Sequence, residues 1–414
     1  SPEDPAGIAA HDEQRLAQDV LDALFGLGRL QSIIDDPDVE NIDINGCDRV
    51  WVTYSDGRKE MVEPVADSDE ELVELVKSAA TRFGLSERRF DLARPQLDLR
   101  LPDGSRLSAL MAVCVRPAVS VRRHRFTELS LDDLVALGTM DEDLSSFLAA
   151  SVRARKNLVV AGAMNSGKTT LLRALASEIP PHERLVTIEQ AFELGLDSDV
   201  ERHPDIVALE ARPANIEGEG QITVADLVRR ALRMNADRVI VGEVLGDEVL
   251  PMLNAMSQGR SGSMCTIHAD SSAGVFRRIA SYAVQAPERL PVEASNLLVA
   301  GAVNFVVFLD SDEDPCDPAA PREVLEADHA AVPAPSRGPR RRISGFAARP
   351  RSRFVSSVRE VVDAEGAQVV SNEVYAPGPD RRAVPAAPLR PATAAELARS
   401  GYAMRRQAFR GIPA

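Results

Sequence analysis

Cysteine is scarce in this sequence, with four residues in 414 and no C-x-x-C pair among them. The four are Cys47, Cys114, Cys265 and Cys316. Such wide spacing indicates neither a zinc site nor a disulfide framework. We therefore expect a reducing, cytosolic compartment.

Long apolar runs are lacking as well. The longest, from Leu297 to Leu309, is interrupted by Asn304 and is shorter than the ~20 residues that span a bilayer. It fits a buried strand or helix instead. We recognise no signal peptide, so we expect any membrane partner to be met from the cytosolic side. The sequence opens with Ser1 rather than methionine, which is consistent with trimming of a longer natural N-terminus.

Basic residues are outnumbered by acidic ones, 48 against 63, which leaves a formal net charge of −15. A broad basic surface for nucleic acid is thereby disfavoured, and no direct nucleic-acid contact is expected, although local basic patches remain open. The hydrophobic content of 44% argues against general disorder. A length of 414 residues suffices for two or three domains of ~100–200 residues each.

Short apolar strands separated by helical patterns predict an α/β fold with a parallel sheet. These strands are expected at Leu158–Ala161, Leu185–Ile188, Val239–Val241 and Met264–Ile267. Alternating strand patterns and a capped helix before them indicate a smaller α+β domain. The predicted segments are a flexible tail (1–11), the N-terminal α+β domain (12–126), a helical connection (127–156), the parallel-sheet domain (157–311), a flexible Pro/Arg-rich insertion (312–353), and C-terminal strands with a tail (354–414).

A glycine-rich loop follows the first of these strands and fits GxxxxGK[ST] without deviation. It consists of Gly162, Ala163, Met164, Asn165, Ser166, Gly167, Lys168 and Thr169, with Thr170 continuing into a helix. Backbone N–H groups of such a loop close around phosphates at a positive helix N-terminus. Lys168 is expected to reach the β- and γ-phosphates of ATP, and Thr169 to offer its hydroxyl to Mg²⁺.

Acidic residues follow two other predicted strands. Glu243 ends the strand Val239–Val241 after one glycine, as a Mg²⁺-associated Walker B acid does, and Glu189 and Glu193 follow Leu185–Ile188. The latter two are candidates to polarise the attacking water. For each acid the alternative is an exposed surface charge.

Two basic residues are further candidates. His268 ends the strand Met264–Ile267 and is a candidate sensor of the γ-phosphate, with a purely structural histidine as the alternative. Arg233 lies on a polar face of a predicted helix capped by Thr223 and Asp226, where it is available for phosphate, for a neighbour or simply for solvent.

Four sequence blocks carry a specific family resemblance. GAMNSGKTT, LVTIEQAFEL, LEARPANIEGEGQITVADLVRRALRMNADRVIVGEV and AMSQGRSGSMCTIHADSS follow one another in this order. They resemble the Walker A, Asp box, Walker B and His box of the type II/type IV secretion ATPase superfamily. Within it they resemble the tight-adherence (Flp/Tad) pilus ATPases, the CpaF/TadA family. The resemblance covers roughly residues 15–311 and 354–390.

This resemblance implies a RecA-like ATPase domain behind a smaller N-terminal domain, assembled as a homo-hexamer. It implies an ATP-hydrolysing motor, docked on inner-membrane platform proteins at the cytosolic face, that drives pilus assembly, retraction or both. By block match it assigns Lys168 and Thr169 to Walker A, Glu189 and Glu193 to the Asp box, Glu243 to Walker B and His268 to the His box. It adds Arg122, Arg123 and Arg233 as candidate phosphate-site arginines. Arg260 is a further candidate that the family pattern does not supply.

Three positions depart from the family pattern, and two other functions remain open. Gln190 stands where the Asp box usually has Asp, Leu245 where Arg is common, and Arg260 where His often follows glycine. The first two losses favour a nucleotide-binding regulatory paralogue with little hydrolysis. The arginine cluster Arg337–Arg353 keeps a conjugation-type DNA-transfer ATPase open.

Overall fold

The computed structural model describes residues 27–54, 58–83, 89–123, 129–214, 217–258, 261–312, 346–347 and 352–403. The predicted N-terminal tail and Arg260 lie outside these ranges, as do the last residues of the chain. Of the predicted insertion, only 312, 346–347 and 352–353 are described. The described residues fall into two compact units. The first contains 27–123 with 217–219 and 346–347, and the second contains the rest.

The first unit is a seven-stranded antiparallel sheet with two helices, in the order β13-β3-β2-β1-β6-β5-β4. Its elements are α1 (Arg29–Asp35), β1 (Val39–Asn45), β2 (Val50–Tyr54), β3 (Arg58–Val62), α2 (Asp69–Phe83), β4 (Gln96–Arg100), β5 (Arg106–Leu110), β6 (Ala118–Arg122) and β13 (Phe346–Ala347). Alternation along β4, β5 and β6 buries every second residue, as expected for a sheet with one core face. The predicted α+β domain is therefore present.

An ion-pair network fixes the start of α2. The guanidinium of Arg116 lies 2.6 Å from Asp69 and 2.8 Å from Asp48. Arg116 holds the pKa of the Asp69 carboxyl well below its usual range, chiefly through their hydrogen bonds. Gly46 is required beside this network, because its φ is +77° and a Cβ would lie 2.1 Å from the guanidinium carbon of Arg116.

The second unit is a nine-stranded sheet in the order β16-β15-β14-β12-β7-β11-β10-β8-β9. Its strands are β7 (Leu158–Gly162), β8 (Leu185–Glu189), β9 (Ile206–Glu210), β10 (Arg238–Val244), β11 (Met264–His268), β12 (Phe305–Asp312), β14 (Ser352–Glu365), β15 (Gln368–Pro377) and β16 (Ala383–Pro385). The run from β12 to β9 is parallel, and β14, β15 and β16 are added in antiparallel fashion. The predicted α/β fold with a parallel sheet is confirmed.

Helices cover both faces of this sheet. Their bounds are α3 (Leu131–Ala136), α4 (Glu142–Arg153), α5 (Lys168–Ala176), α6 (Val224–Ala231), α7 (Val249–Ser257), α8 (Gly274–Gln285), α9 (Val292–Ala302) and α10 (Pro391–Arg399). Leu158 and Val160 of β7 face one core with α3, α4, α5 and α10, whereas Val159 and Ala161 face the other with α6 to α9. The continuous burial of β7 is typical of a central parallel strand.

The second unit is larger than the predicted parallel-sheet domain. Helix α4 lies within the predicted connection, yet residues such as Phe147 are fully buried in the core. Strand β14 pairs with β12 from Asp312↔Ser352 onwards, so the predicted C-terminal strands complete the same sheet. In addition, Phe346 and Ala347, placed in the predicted flexible insertion, form β13 and pair with Lys59 and Arg58 of the first unit.

Candidate functional site

The phosphate loop joins β7 to α5 at the carboxyl edge of the sheet. Gly167 is the N-cap of α5 with φ +92°, a left-handed conformation that favours glycine. Gly162 is required by space, because a Cβ there would lie 2.4 Å from the Ser166 hydroxyl and 2.6 Å from the Leu309 carbonyl oxygen. The loop therefore folds tightly over β7 and presents the N-terminus of α5, where anions bind.

Lys168 turns its ammonium inward, and only 7% of the residue is exposed. Its Nζ donates to the Ala163 carbonyl at 2.9 Å and lies 3.1 Å from His268 Nδ1. Burial lowers the pKa of Lys168, and the nearby carboxylates of Glu243 and Glu193 act in the opposite direction. The lysine, the histidine and both acids thus occupy one small region.

His268 and Glu243 end two neighbouring strands. The Nε2 atom of His268 lies 2.7 Å from Oε1 of Glu243. The strand order β7-β11-β10 places Lys168, His268 and Glu243 in a row across three adjacent carboxyl ends. The buried Thr266 hydroxyl donates to the Gly242 carbonyl at 2.6 Å, which ties β11 to β10 beside this row.

Glu189 and Glu193 have different surroundings although they are four residues apart. The carboxylate of Glu189 is buried and accepts the backbone N–H groups of Glu193 at 2.7 Å and Leu194 at 2.8 Å. Gly242 of β10 gives it room, since a Cβ there would lie 3.0 Å from Glu189 Cγ. Glu189 therefore fixes the loop that carries Glu193, whose own side chain is only partly buried.

The donor atoms at this edge suit Mg²⁺ better than a soft metal. The Thr169 hydroxyl and the Glu243 carboxylate are hard oxygen ligands of the type that Mg²⁺ takes in small number alongside phosphates and water. Within the described ranges, no group of three or more His, Cys, Asp or Glu side chains is arranged to hold a metal by itself. The site is thus compatible with Mg²⁺ held jointly with a phosphate ligand.

Arg233 does not lie at the phosphate loop of its own unit. Arg233 is exposed just past α6, next to Met234, whose carbonyl accepts from Arg184 at the amino edge of β8. The phosphate loop lies at the carboxyl edge, about 17 Å away for a five-residue strand. Arg233 is therefore out of reach of the loop in its own chain. Arg260 lies outside the described residues.

Arg122 and Arg123 belong to the first unit, at the end of β6. The Arg122 side chain is exposed, and Arg122 is paired in register with Asn41. Arg123 is partly buried, and its guanidinium donates to the carbonyl of Asp36, while its backbone N–H donates to Glu40 at 2.9 Å. One arginine is thus available at the surface, and the other is engaged within its own unit.

A cavity of about 300 Å³ adjoins the loop, and apart from Ser166, Gly167 and Thr170 the sequence did not indicate its lining residues. Its lining comprises Leu129, Leu134, Leu137, Thr139, Ser166, Gly167, Thr170, Leu171, Leu309, Ser352 and Arg353. The walls are mainly apolar, with polar groups near the start of α5. Leu129, Leu134 and Leu137 lie in the predicted helical connection, and no local pattern links them to the loop.

The fold and the loop define an α/β protein of the phosphate-binding-loop class. The family model described as “Type II/IV secretion system protein” matches residues 26–311. The chain therefore belongs to the type II/IV secretion system protein family. Within the described part, each helix is too short or too polar to cross a membrane.

Two proteins and one solved structure are similar to this chain. A “Putative conjugal transfer protein” of Mycobacterium tuberculosis is 36% identical over 265 residues, covering 62% of this chain and 72% of that protein. The type IV secretion system protein VirB11 of Brucella suis is 30% identical over 313 residues, covering 69% of this chain and 84% of VirB11. The crystal structure of the Brucella suis VirB11 ATPase with sulphate is 28% identical, with a TM-score of 0.36, over 72% of this chain and 92% of that one.

Proposed function

We propose that this protein is an ATP-hydrolysing motor of a tight-adherence or related type IV-like pilus or secretion system. The single observation that carries the proposal is the row Lys168, His268 and Glu243 at the carboxyl edge of the sheet, beside a complete phosphate loop. A row of this kind places a cation and a carboxylate where the γ-phosphate and its metal ion meet the protein. Membership in the secretion family agrees with it.

In this proposal, each residue of the site has one role in binding or hydrolysing ATP. Lys168 binds the β- and γ-phosphates of ATP, and Thr169 and Glu243 hold Mg²⁺, which neutralises charge on the transferred phosphoryl group. Glu193 orients and deprotonates the attacking water. Glu189 is a positioning residue, because its carboxylate is occupied by two backbone N–H groups of the loop that carries Glu193.

The leucine-lined cavity is proposed to receive the adenine and ribose. Its volume of about 300 Å³ is at the lower end of small-molecule pockets, which are mostly apolar with a few placed polar groups. Its wall contains Gly167 of the phosphate loop and Thr170 of α5. A single nucleotide can therefore occupy the cavity with its base and ribose and the loop with its phosphates.

Assembly as a homo-hexamer, docked on inner-membrane platform proteins at the cytosolic face, is part of the same proposal. It is supported by the residue-level resemblance to the tight-adherence ATPases and by the VirB11 relatives. Gln190 and Leu245 depart from that pattern, whereas Lys168, His268 and Glu243 are present and lie next to one another. The row formed by Lys168, His268 and Glu243 thus gives no support to a regulatory paralogue with little hydrolysis.

Steady-state phosphate release with purified protein, MgATP and a coupled assay tests the proposal. Lys168→Ala is expected to lower turnover by ~10³ or more, since groups that neutralise phosphate charge are worth this much. Lys77→Ala, an exposed lysine paired with Glu74, is the matched control and is expected to be neutral. Wild-type protein that binds ATP without turnover would instead identify the regulatory paralogue.

A conjugation-type DNA-transfer ATPase is the second candidate, because a relative carries the name of a conjugal transfer protein. The same active row serves either motor. Single-stranded DNA binding that weakens steeply with salt would favour this candidate. Stimulation of turnover by membrane-inserted platform protein, with no effect of DNA, would favour the pilus motor.

A further inference from the structure

Arg353 lies beside the phosphate loop, although it is distant in sequence. It is the second residue of β14 and pairs in register with Ser311 of β12. Its Cδ lies 3.4 Å from the position that a Cβ on Gly167 would take, and the side chain lines the leucine-lined cavity with Gly167 and Thr170. The stem of the arginine is therefore held against the N-cap of α5.

The neighbouring arginines are occupied, whereas Arg353 is not. Arg381 forms ion pairs with Asp310 and Asp312, and Arg382 donates to Ser352 at 3.0 Å. Across the described ranges, the side chain of Arg353 makes neither a hydrogen bond nor an ion pair, and the residue is exposed, whereas its backbone is part of the β12–β14 ladder. Arg381 and Arg382 therefore make the polar contacts that stabilise this region, and the guanidinium of Arg353 does not contribute to them.

The electrostatic setting of Arg353 calls for an anion. The N-terminus of α5 carries roughly half a positive charge, and Lys168 adds a full one nearby. In the empty site, the Arg353 guanidinium is repelled by the other positive charges, and this repulsion raises the free energy of the site slightly. A phosphate bound between them attracts all of these groups and lowers the free energy. The planar fork of arginine is well suited to phosphate oxygens.

The strand order decides which phosphate this would be. Lys168 turns towards β11 and β10, where His268 and Glu243 lie, and this is the γ-phosphate side in the proposed function. Arg353 lies on the opposite side of β7, on β14 beyond β12, next to the cavity proposed for adenine and ribose. Of the three phosphates of ATP, the α-phosphate is joined to the ribose, and it therefore lies nearest to Arg353.

We propose that Arg353 binds the α-phosphate of ATP and ADP, from the side of the phosphate loop away from Lys168. The proposal rests on the proposed nucleotide-binding function. Because the α-phosphate does not change during γ-phosphate hydrolysis, the contact stabilises ground state and transition state equally. Arg353 is accordingly a residue for nucleotide affinity, with no part in the chemical step.

Isothermal titration of ATP and ADP, together with steady-state kinetics, tests this. Arg353→Ala is expected to weaken ATP and ADP binding by the same factor, about tenfold or more for a charge-assisted contact. KM should rise by a similar factor with kcat unchanged. Arg353→Lys should recover part of the affinity, since it keeps the charge but loses the fork.

Arg277→Ala on α8 is the matched control, because Arg277 is also exposed and the charge change is equal. If Arg353→Ala unfolds, Arg353→Gln, which keeps most of the stem over Gly167, decides the test. Unchanged ATP and ADP affinities, a loss for ATP alone, or a lower kcat at constant KM would each overturn the proposal. Wild-type protein that binds no nucleotide would instead refute the proposed function itself.

Discussion

The side-chain nitrogen of Lys168 lies 3.1 Å from Nδ1 of His268, and the other ring nitrogen of His268 lies 2.7 Å from Glu243. An ammonium group has only donors, so Nδ1 accepts and the ring proton is on Nε2, facing the carboxylate. His268 therefore couples the position of the lysine to that of the acid. A purely structural histidine was the alternative expected from sequence, and the contacts favour a role at the proposed site.

The first prediction concerns this coupling. His268→Ala is expected to leave ATP affinity within a few-fold but to lower kcat by ~10²–10³, the usual loss for one preorganised electrostatic group. The reason is that Lys168 and Glu243 lose the residue that holds both in place. Phosphate release under saturating MgATP measures the effect, with the exposed His182→Ala as control. A His268→Ala enzyme with wild-type kcat would assign the histidine to packing alone.

The second prediction separates the two acids of the Asp box. Glu193→Gln is expected to keep ATP binding and thermal stability but to slow hydrolysis by ~10²–10⁴, the scale of a lost general base. Glu189→Gln should slow hydrolysis and also lower the melting temperature, because the buried Glu189 carboxylate accepts hydrogen bonds from two backbone N–H groups. Loss of charge-assisted hydrogen bonds of this type costs about 1–3 kcal/mol.

Differential scanning fluorimetry and phosphate release on both variants check this assignment. Gly242→Ala offers an independent route, since its Cβ would press on Glu189 Cγ from 3.0 Å without touching the charge. It should reproduce part of the Glu189→Gln phenotype, whereas Gly301→Ala on α9, which meets open space, should not. A crippled Glu189→Gln with a normal melting temperature and a near-normal Glu193→Gln would reverse the two roles.

Much of the second unit could be predicted from local patterns. The strand before Gly162, the capping box of Thr223 and Asp226 and the acid after Val241 are all short-range signals, and the structure contains each of them. Parallel strands connected by helices allow few topologies, and their carboxyl ends meet at one edge of the sheet. The location of Glu189, Glu243 and His268 at that edge therefore follows from the fold class.

The remaining features depend on long-range packing. The pairing of β12 with β14 joins residues 40 positions apart at Asp312↔Ser352 and 55 apart at Phe305↔Glu360. No local pattern specifies which sheet edge such a strand will extend. Arg353 reaches the loop only through that pairing. Likewise, Arg233 looked like a phosphate ligand in sequence, but the return direction of α6 carries it to the amino edge of the sheet.

The third prediction concerns pH. His203 is only 3% exposed, and burial lowers its pKa, with Asp199 opposing and Arg202 reinforcing the shift. The unfolded chain therefore binds a proton at its ordinary pKa near ~6.5 that the folded chain binds less readily. Stability is full above that pH and falls as the pH drops below it, by at most about 1.4 kcal/mol per pH unit.

Urea unfolding of the wild-type protein between pH 5 and 8 measures this slope. His203→Gln should be less stable at pH 8 because the site is buried, yet its stability should depend less on pH below ~6.5. His182→Gln, at an exposed position, should keep the wild-type slope. Parallel pH profiles for wild type and His203→Gln would show that another group controls the acid limb.

The fourth prediction concerns the ring. Arg122 and Arg123 are the candidate phosphate-site arginines of the first unit, and their surroundings within it differ. Arg123 is engaged with the Asp36 carbonyl, so Arg123→Ala should lower the melting temperature of the protein as well as its turnover. Arg122 is exposed, so Arg122→Ala should lower turnover by ~10³ or more, as loss of an arginine finger does, with the melting temperature unchanged.

Protein concentration provides the decisive variable for this prediction. If arginines act between subunits, specific activity should rise with concentration as subunits associate, and mixing Arg122→Ala with Lys168→Ala protein should restore some turnover, because each supplies what the other lacks. The exposed Arg49→Ala in the same unit is the matched control and should behave as wild type. Sedimentation velocity at each concentration relates activity to oligomeric state. Full turnover in a preparation that sediments as a monomer would exclude the ring, and the arginines would then have to act within one chain.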